Sequence, residues 1–308
     1  MKITVIGAGA FGTSLALAWS SKALVTLWGR SLPEGARQSP RLPGVSLPSA
    51  LTTTNRLDAC PNADILVVAA SMAGLSDTLT QLGPVRAPIV LCAKGRDPAS
   101  GLGPSGLARR ALSGGGQVAI LSGPSFAVDI ASGLPTALAI ACEDETAATE
   151  LRDGLSTPQL RLYSTTDVVG AELGGALKNV IALAAGVTMG AGLGESARAA
   201  IITRGFAEMS RYAQSLGGRA ETLAGLSGLG DLLLTATSAK SRNYRYGFAL
   251  GAGDALPEAA TVEGVLTARA LAEAPNTPIT QTIAALIEGR TTVADAIARL
   301  MERRLTRE

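Results

Sequence analysis

The stretch Gly7-Ala8-Gly9-Ala10-Phe11-Gly12 decides the fold of this chain. It follows Lys2-Ile3-Thr4-Val5-Ile6, a β-branched run that reads as a buried first strand, and it opens into Thr13–Trp19, which reads as a helix. Strand, glycine turn and helix in that order are the setting in which this glycine spacing binds a dinucleotide. Gly7 permits the tight turn, Gly9 lets a pyrophosphate approach the backbone, and Gly12 lets the helix pack closely on the strand. Ala10 and Phe11 complete the turn at the positive end of the helix dipole, where amide N–H groups receive phosphates. With 36 glycines in 308 residues such spacings arise by chance, so the flanking strand and helix carry the reading.

The next strand, Leu24-Val25-Thr26-Leu27, bears on the cofactor. An NAD site usually places Asp or Glu about 20 residues beyond the glycines, on the ribose 2′-hydroxyl. Here the sequence is Trp28-Gly29-Arg30-Ser31, with no acid. Arg30 offers a donor fork to a 2′-phosphate, so NADP is expected in preference to NAD. The competing reading of Arg30 is a solvated loop residue.

Residues 32–58 hold four prolines and little periodicity, which reads as a surface connection. Ile65–Ala70, Pro88–Ala93, Val118–Leu121 and Pro135–Ala141 are apolar runs suited to strands of a buried parallel sheet. One runs into Lys94-Gly95, and another into Ser122-Gly123-Pro124-Ser125-Phe126-Ala127. Both sequences fall where ligands bind in open α/β sheets, outside the carboxyl ends of strands. Helices alternate with these strands, which argues a doubly wound parallel sheet of the Rossmann type over residues 1–165. From residue 166 strand-like runs vanish, and residues 166–308 read as an all-α C-terminal domain.

Within Leu173–Gly186 only Lys178 and Asn179 are polar. Burying an ammonium is costly unless it is paired or neutralised, so Lys178 is either a snorkelling surface residue or a functional amine. Gly190–Ala197 reads as a glycine-rich connection. In the helix Ala199–Leu216, Arg204 and Glu208 have the spacing of an i,i+4 ion pair. Gly225–Gly230 is a glycine-rich backbone leading into Asp231, with Thr235 four residues on. Ser241-Arg242-Asn243 supplies donors for an anion.

Composition removes several classes of function. The chain has no histidine, so imidazole bases and histidine metal ligands are excluded, and a general acid or base must be Lys, Asp, Glu, Tyr or Cys. A net charge of +2 gives no electrostatic case for nucleic acid or an anionic membrane. Aromatics are only 3% of residues, so the cores must be aliphatic. No charge-free apolar run of 18 residues suggests a membrane span, and the first strand leaves no room for a signal peptide. Cys60, Cys92 and Cys142 lack metal spacing and suit a reducing cytoplasm.

Taken in order, these blocks resemble the bacterial NAD(P)-dependent glycerol-3-phosphate dehydrogenases nearly end to end. The matching segments are Gly7–Gly12, Trp28–Arg30, Ala93–Gly95, Ser122–Ala127, Leu173–Val180, Ser196–Met209, Gly228–Thr235 and Ser241–Gly247. Three features depart from the family pattern: a short 28–60 segment, Ala70 before the serine, and Glu195. The resemblance implies a cytoplasmic homodimer acting on a phosphorylated triose, with no nucleic-acid partner and no metal. It implies Lys178 as general base or acid, with Lys94, Asn179, Asp231 and Thr235 orienting substrate and lysine. It places Ser241, Arg242 and Asn243 near the substrate phosphate or the cofactor, Gly123, Ser125 and Ala127 along the substrate and nicotinamide, and Glu263 on the adenosine or ribose side. Two rivals are a related hydroxyacid dehydrogenase with a catalytic lysine and a dinucleotide sensor without catalysis. The donor cluster at 241–243 speaks against the first, and the lysine in an apolar helix against the second.

Overall fold

A computed structural model describes residues 1–58, 63–112, 115–256 and 262–302; Cys60 lies outside them. The chain divides into two compact units. One comprises Met1–Lys94 and Leu102–Glu172, the other Gly95–Gly101 and Leu173–Glu308.

The first unit is built on a sheet of β1 (Lys2–Ile6), β2 (Leu24–Trp28), β3 (Leu51–Thr54), β4 (Ile65–Val68), β5 (Ile89–Leu91), β6 (Val118–Ser122), β7 (Thr136–Cys142) and β8 (Leu160–Thr165). The spatial order is β3-β2-β1-β4-β5-β6-β7-β8. Its helices are α1 (Ala10–Trp19), α2 (Met72–Leu82), α3 (Pro104–Ala111), α4 (Ala127–Ala131) and α5 (Glu145–Leu155). Apolar clusters cover both faces, one under α1 and α5 and one under α2 and α3. Burial on both faces is why β4 and β5 are continuous apolar runs. Trp19 has no solvent exposure and donates its indole N–H to Leu155 O at 2.7 Å, which ties α1 to α5.

Two departures from the expected topology have physical causes. The sheet is parallel except where β6 meets β7, which is antiparallel. The intervening α4 has five residues, about 7.5 Å at 1.5 Å per residue, too short to carry the chain back along a strand. The segment read as a plain connection contains β3, which extends the sheet beside β2 in parallel register. A short edge strand of mostly threonines, Leu51-Thr52-Thr53-Thr54, has no apolar periodicity to announce it.

The second unit is helical: α6 (Val168–Gly190), whose first residues belong to the sheet unit, then α7 (Gly194–Ser215), α8 (Ala220–Ala224), α9 (Asp231–Ala236), α10 (Arg242–Ala252), α11 (Glu263–Ala270), α12 (Pro278–Ile287) and α13 (Val293–Met301). The expected connection at 190–197 is shorter than its glycines suggested, because α7 already begins at Gly194. Among the described residues α6 alone is long and apolar enough to cross a membrane by length and composition. However, 89% of its most apolar window is buried in the protein, which makes it a core helix.

The expected Arg204–Glu208 pair does not form. Glu208, 2% exposed, instead accepts from Ile279 N at 2.7 Å, Thr280 N at 3.0 Å and Thr280 Oγ1 at 2.8 Å. It thereby caps the N-terminus of α12, whose own N-cap residue Thr277 turns its hydroxyl to Ala274 O. Arg204 donates to the carbonyls of Leu300 and Glu302 at the end of α13. Each charge thus meets the helix end whose dipole it complements, which outweighs a weak surface pair. Burial raises the pKa of the Glu208 carboxyl, opposed by its hydrogen bonds from Ile279 and Thr280. Glu208→Ala strands two buried N–H groups and is expected to cost about 2–4 kcal/mol, read by urea unfolding. A loss below about 0.5 kcal/mol, the level of an ordinary surface substitution, would contradict the capping role.

Candidate active site

The first unit presents a cradle at the carboxyl ends of β1 and β2. Gly7 has φ +113° and donates its N–H to Trp28 O at 2.9 Å. A Cβ on Gly12 would lie 2.0 Å from Gly7 O, so the turn admits only glycine there. At Gly9 a Cβ would meet nothing within 4 Å. Gly9 is also the N-cap of α1, and no side chain caps that helix end. Open space beside uncapped amides at Ala10, Phe11 and Gly12 fits a dinucleotide pyrophosphate. The buried Trp28 indole nitrogen and Ser122 hydroxyl, at the ends of β2 and β6, have no hydrogen-bond partner. Arg30 and Ser31 follow β2 and are exposed.

At the end of β5, Lys94 is half-buried and its Nζ donates to Gly123 O at 3.3 Å. Ser125 Oγ donates to the same carbonyl at 3.2 Å. Ala127 begins α4 two residues later. Cys92 lies beneath this group with its thiol pKa pushed up to about 12 by burial, which makes it an inert apolar filler.

The second unit holds a polar site in an apolar setting. Lys178 on α6 is 7% exposed, and its Nζ donates to Asp231 Oδ1 at 2.8 Å and to Thr235 Oγ1 at 2.7 Å. Thr235 in turn donates to Asp231 O at 2.7 Å, one turn back along α9. The snorkelling alternative for Lys178 is ruled out by this burial and pairing. Asp231 owes its position to the preceding segment, Leu226–Gly230, wound as a wide π-helical turn in which Gly230 N bonds Gly225 O at 3.0 Å. Such turns cost regular helix geometry and concentrate at functional sites.

The neighbouring Asn179 joins a second chain of bonds. Asn243 Nδ2 donates to Asn179 Oδ1 at 2.9 Å, and Asn243 Oδ1 accepts from Gly264 N at 2.9 Å. Asn179 Nδ2 reaches Glu263 Oε2 at 3.4 Å. Asn243 therefore caps α11, whose N-cap Val262 has no side chain for the task. Ser241 caps α10 through Tyr244 N at 3.2 Å, and Arg242 is exposed on its first turn. Helices α6 and α10 touch backbone to backbone: a Cβ on Gly186 would lie 2.2 Å from Tyr244 O, and one on Gly247 would lie 2.1 Å from Leu183 O. Of the residues singled out in the sequence, the second unit thus brings together Lys178, Asn179, Asp231, Thr235, Asn243 and Glu263. The π-helical turn and the capping by distant side chains carry no local sequence signal. Glu195 pairs with Arg198 on α7. Among the described residues no group of three or more Cys, Asp and Glu could hold a metal.

A dinucleotide cradle accompanied by a buried, paired lysine defines a class: nicotinamide-dependent oxidoreductases that work without histidine. Comparison with known proteins narrows it. Residues 2–148 match the family described as NAD-dependent glycerol-3-phosphate dehydrogenase N-terminus, and residues 167–298 match its C-terminus. The chain is 53% identical over 312 residues to the glycerol-3-phosphate dehydrogenase [NAD(P)+] of Jannaschia sp. (strain CCS1), covering 100% of both. It is 52% identical over 316 residues to that of Paracoccus denitrificans (strain Pd 1222), again with full coverage. It superposes on the crystal structure of glycerol-3-phosphate dehydrogenase from Coxiella burnetii with a TM-score of 0.90 at 31% identity, covering 98% of this chain and 99% of that one. The chain belongs to the NAD(P)-dependent glycerol-3-phosphate dehydrogenase family.

Removing one member of a buried ion pair leaves an uncompensated charge, so Asp231→Ala is expected to cost about 3–5 kcal/mol in urea unfolding. The double variant Lys178→Met with Asp231→Leu removes both charges and is expected to regain most of that stability. A double variant no more stable than Asp231→Ala would show that packing, and not the stranded charge, sets the cost.

Proposed function

We propose that the protein interconverts sn-glycerol 3-phosphate and dihydroxyacetone phosphate, as a cytoplasmic homodimer supplying glycerol 3-phosphate for glycerophospholipid synthesis. The single observation that carries the mechanism is the buried Lys178 held between Asp231 and Thr235. Nicotinamide, when bound, supplies or accepts the hydride at substrate C2. Lys178 handles the accompanying proton: as ammonium it protonates the C2 oxygen during ketone reduction, and as amine it takes the proton back during oxidation. Asp231 and Thr235 fix the direction of Nζ, so the proton is delivered along a set line. Asn179 and Asn243, cross-bonded and tied to the start of α11, orient the polar end of the substrate.

Arg242, with Ser241 and Asn243, anchors the substrate phosphate, because a dianion calls for a charge-assisted donor at a helix N-terminus. Lys94, Gly123 and Ser125 contribute further polar contacts to substrate, and Ala127 lies along the nicotinamide. Gly7, Gly9, Ala10, Phe11 and Gly12 hold the pyrophosphate. Arg30 takes the 2′-phosphate of NADP, which gives NADP preference while NAD remains usable through the shared turn. Glu263 takes a cofactor hydroxyl, and its bond to Asn179 couples that contact to the lysine site.

Lys178→Ala is expected to lose about 10²–10⁴-fold in turnover with dihydroxyacetone phosphate, the usual weight of acid–base catalysis, while NADPH still binds. Near wild-type turnover would remove Lys178 from the mechanism. Arg242→Ala is expected to raise the KM for the phosphorylated ketone by about 10–100-fold, the equivalent of one charged hydrogen bond. An unchanged KM would put the anchor elsewhere. Arg30→Asp is expected to lower kcat/KM with NADPH far more than with NADH, because it removes a donor fork and adds repulsion. A ratio unaffected by the substitution would make Arg30 a solvated loop residue.

A further inference from the structure

Strand β3 brings a second arginine to the nucleotide edge. Trp28, the last residue of β2, is in parallel register with Thr54, the last residue of β3, and Gly29 N extends the pairing by bonding Thr54 O at 3.1 Å. Arg30 and Arg56 each lie two residues beyond these paired ends, so the register sets them on adjacent chains at the carboxyl edge of the sheet. The turn after each strand is fixed. Leu32 N closes onto Gly29 O at 2.9 Å, and Arg56 N closes onto Thr54 Oγ1 at 3.0 Å. The loop after Arg30 is stapled to β3 as well, since Thr53 Oγ1 donates to Pro33 O at 3.0 Å and accepts from Ala36 N at 2.8 Å. Arg56 Nη2 meets Asp58 Oδ2 at 3.0 Å, with both side chains largely exposed. Glu34, in the loop that carries Arg30, adds to the field that Asp58 exerts on this guanidinium.

We propose that Arg56 forms, with Arg30, a two-arginine clamp for the 2′-phosphate of NADP(H), and that Asp58 is a built-in competitor for the Arg56 guanidinium. This rests on the reading of Arg30 as the residue that meets the 2′-phosphate. A guanidinium has five N–H donors in a planar fork, so Arg56 can turn from a carboxylate partner to a phosphate dianion without leaving its turn. The ion pair with Asp58 is solvent-exposed and therefore weak, which makes the exchange cheap. Glu34 and Asp58 also balance the two arginines in charge, so the site holds back from anions in general and rewards one that engages both forks.

The clamp is tested by equilibrium titration of the full chain with adenosine 2′,5′-bisphosphate and with 5′-AMP at fixed ionic strength. Wild type is expected to bind the bisphosphate more tightly. Arg56→Ala is expected to weaken bisphosphate binding by about three- to tenfold, the range of a partly screened charged contact, and to leave 5′-AMP within about twofold. Arg56→Lys, which keeps the charge without the fork, is expected to fall between the two. Asp58→Asn is expected to tighten the bisphosphate about two- to fivefold by removing the competitor. If Arg56→Ala changes both nucleotides equally, or neither, the clamp is overturned. If Asp58→Asn weakens the bisphosphate, Asp58 is a support and not a competitor. If wild type itself binds the two nucleotides equally, the NADP reading of Arg30 falls, and the clamp falls with it.

Discussion

The second unit depends on one buried ion pair. An ammonium inside an aliphatic helix is tolerable only if a carboxylate and a hydroxyl meet it, and Asp231 and Thr235 do so. That requirement propagates outward. Asp231 must sit at the start of a helix facing α6, so the chain ahead of it winds into a wide turn rich in glycine. Gly174 on α6 exists to let that turn close, since a Cβ there would lie 2.5 Å from Ser227 O. The buried pair thus accounts for a stretch of backbone that otherwise looks wasteful: loose, glycine-heavy and of irregular pitch.

The same economy of polar groups governs the neighbouring helices. Asn243 serves Asn179 with its amide nitrogen and the first turn of α11 with its amide oxygen, so neither atom can rotate away without stranding a partner. Helix α10 reaches this position because glycines let its backbone lie directly on that of α6. Residues expected to face the substrate are consequently held by the main chain of three helices, and the geometry of the site is as rigid as their packing.

The glycine fingerprint, the apolar strands and the isolated lysine were all legible in the sequence, because each is a local pattern with a single physical explanation. Lys178 stood out by contrast with thirteen surrounding residues of which only Asn179 is polar. Strand β3 was not legible, since Thr52, Thr53 and Thr54 satisfy a sheet edge without apolar alternation. The partners of Glu208 and Arg204 were not legible either. Their spacing favours a local pair, and only tertiary structure reveals that two helix ends, some 70 or more residues away, compete for them with success. The reversal of β7 could have been inferred from the brevity of the segment before it, read as too short for a crossover. Gly123, which looked like part of a ligand turn, has φ +143°, and a Cβ on it would lie 3.0 Å from Leu138 Cδ2 and 3.1 Å from Leu138 Cα, so backbone conformation and packing already favour glycine there.

Helix ends capped from afar have a consequence for synthesis. Helix α3 begins without a cap of its own, and Glu172 Oε1 supplies the bond to Ser105 N from 67 residues further along the chain. Glu208 stands 71 residues ahead of the helix start it serves. At roughly 5–20 residues per second on the ribosome, α3 waits about 3–13 seconds between its own emergence and that of its cap. Its first turn therefore frays until α6 has begun to appear, whereas for α12 the order is reversed and the capping carboxylate is made first. The sheet unit is thus completed only by the last residue it contains, Glu172, so its third helix is finished after all eight strands have been made.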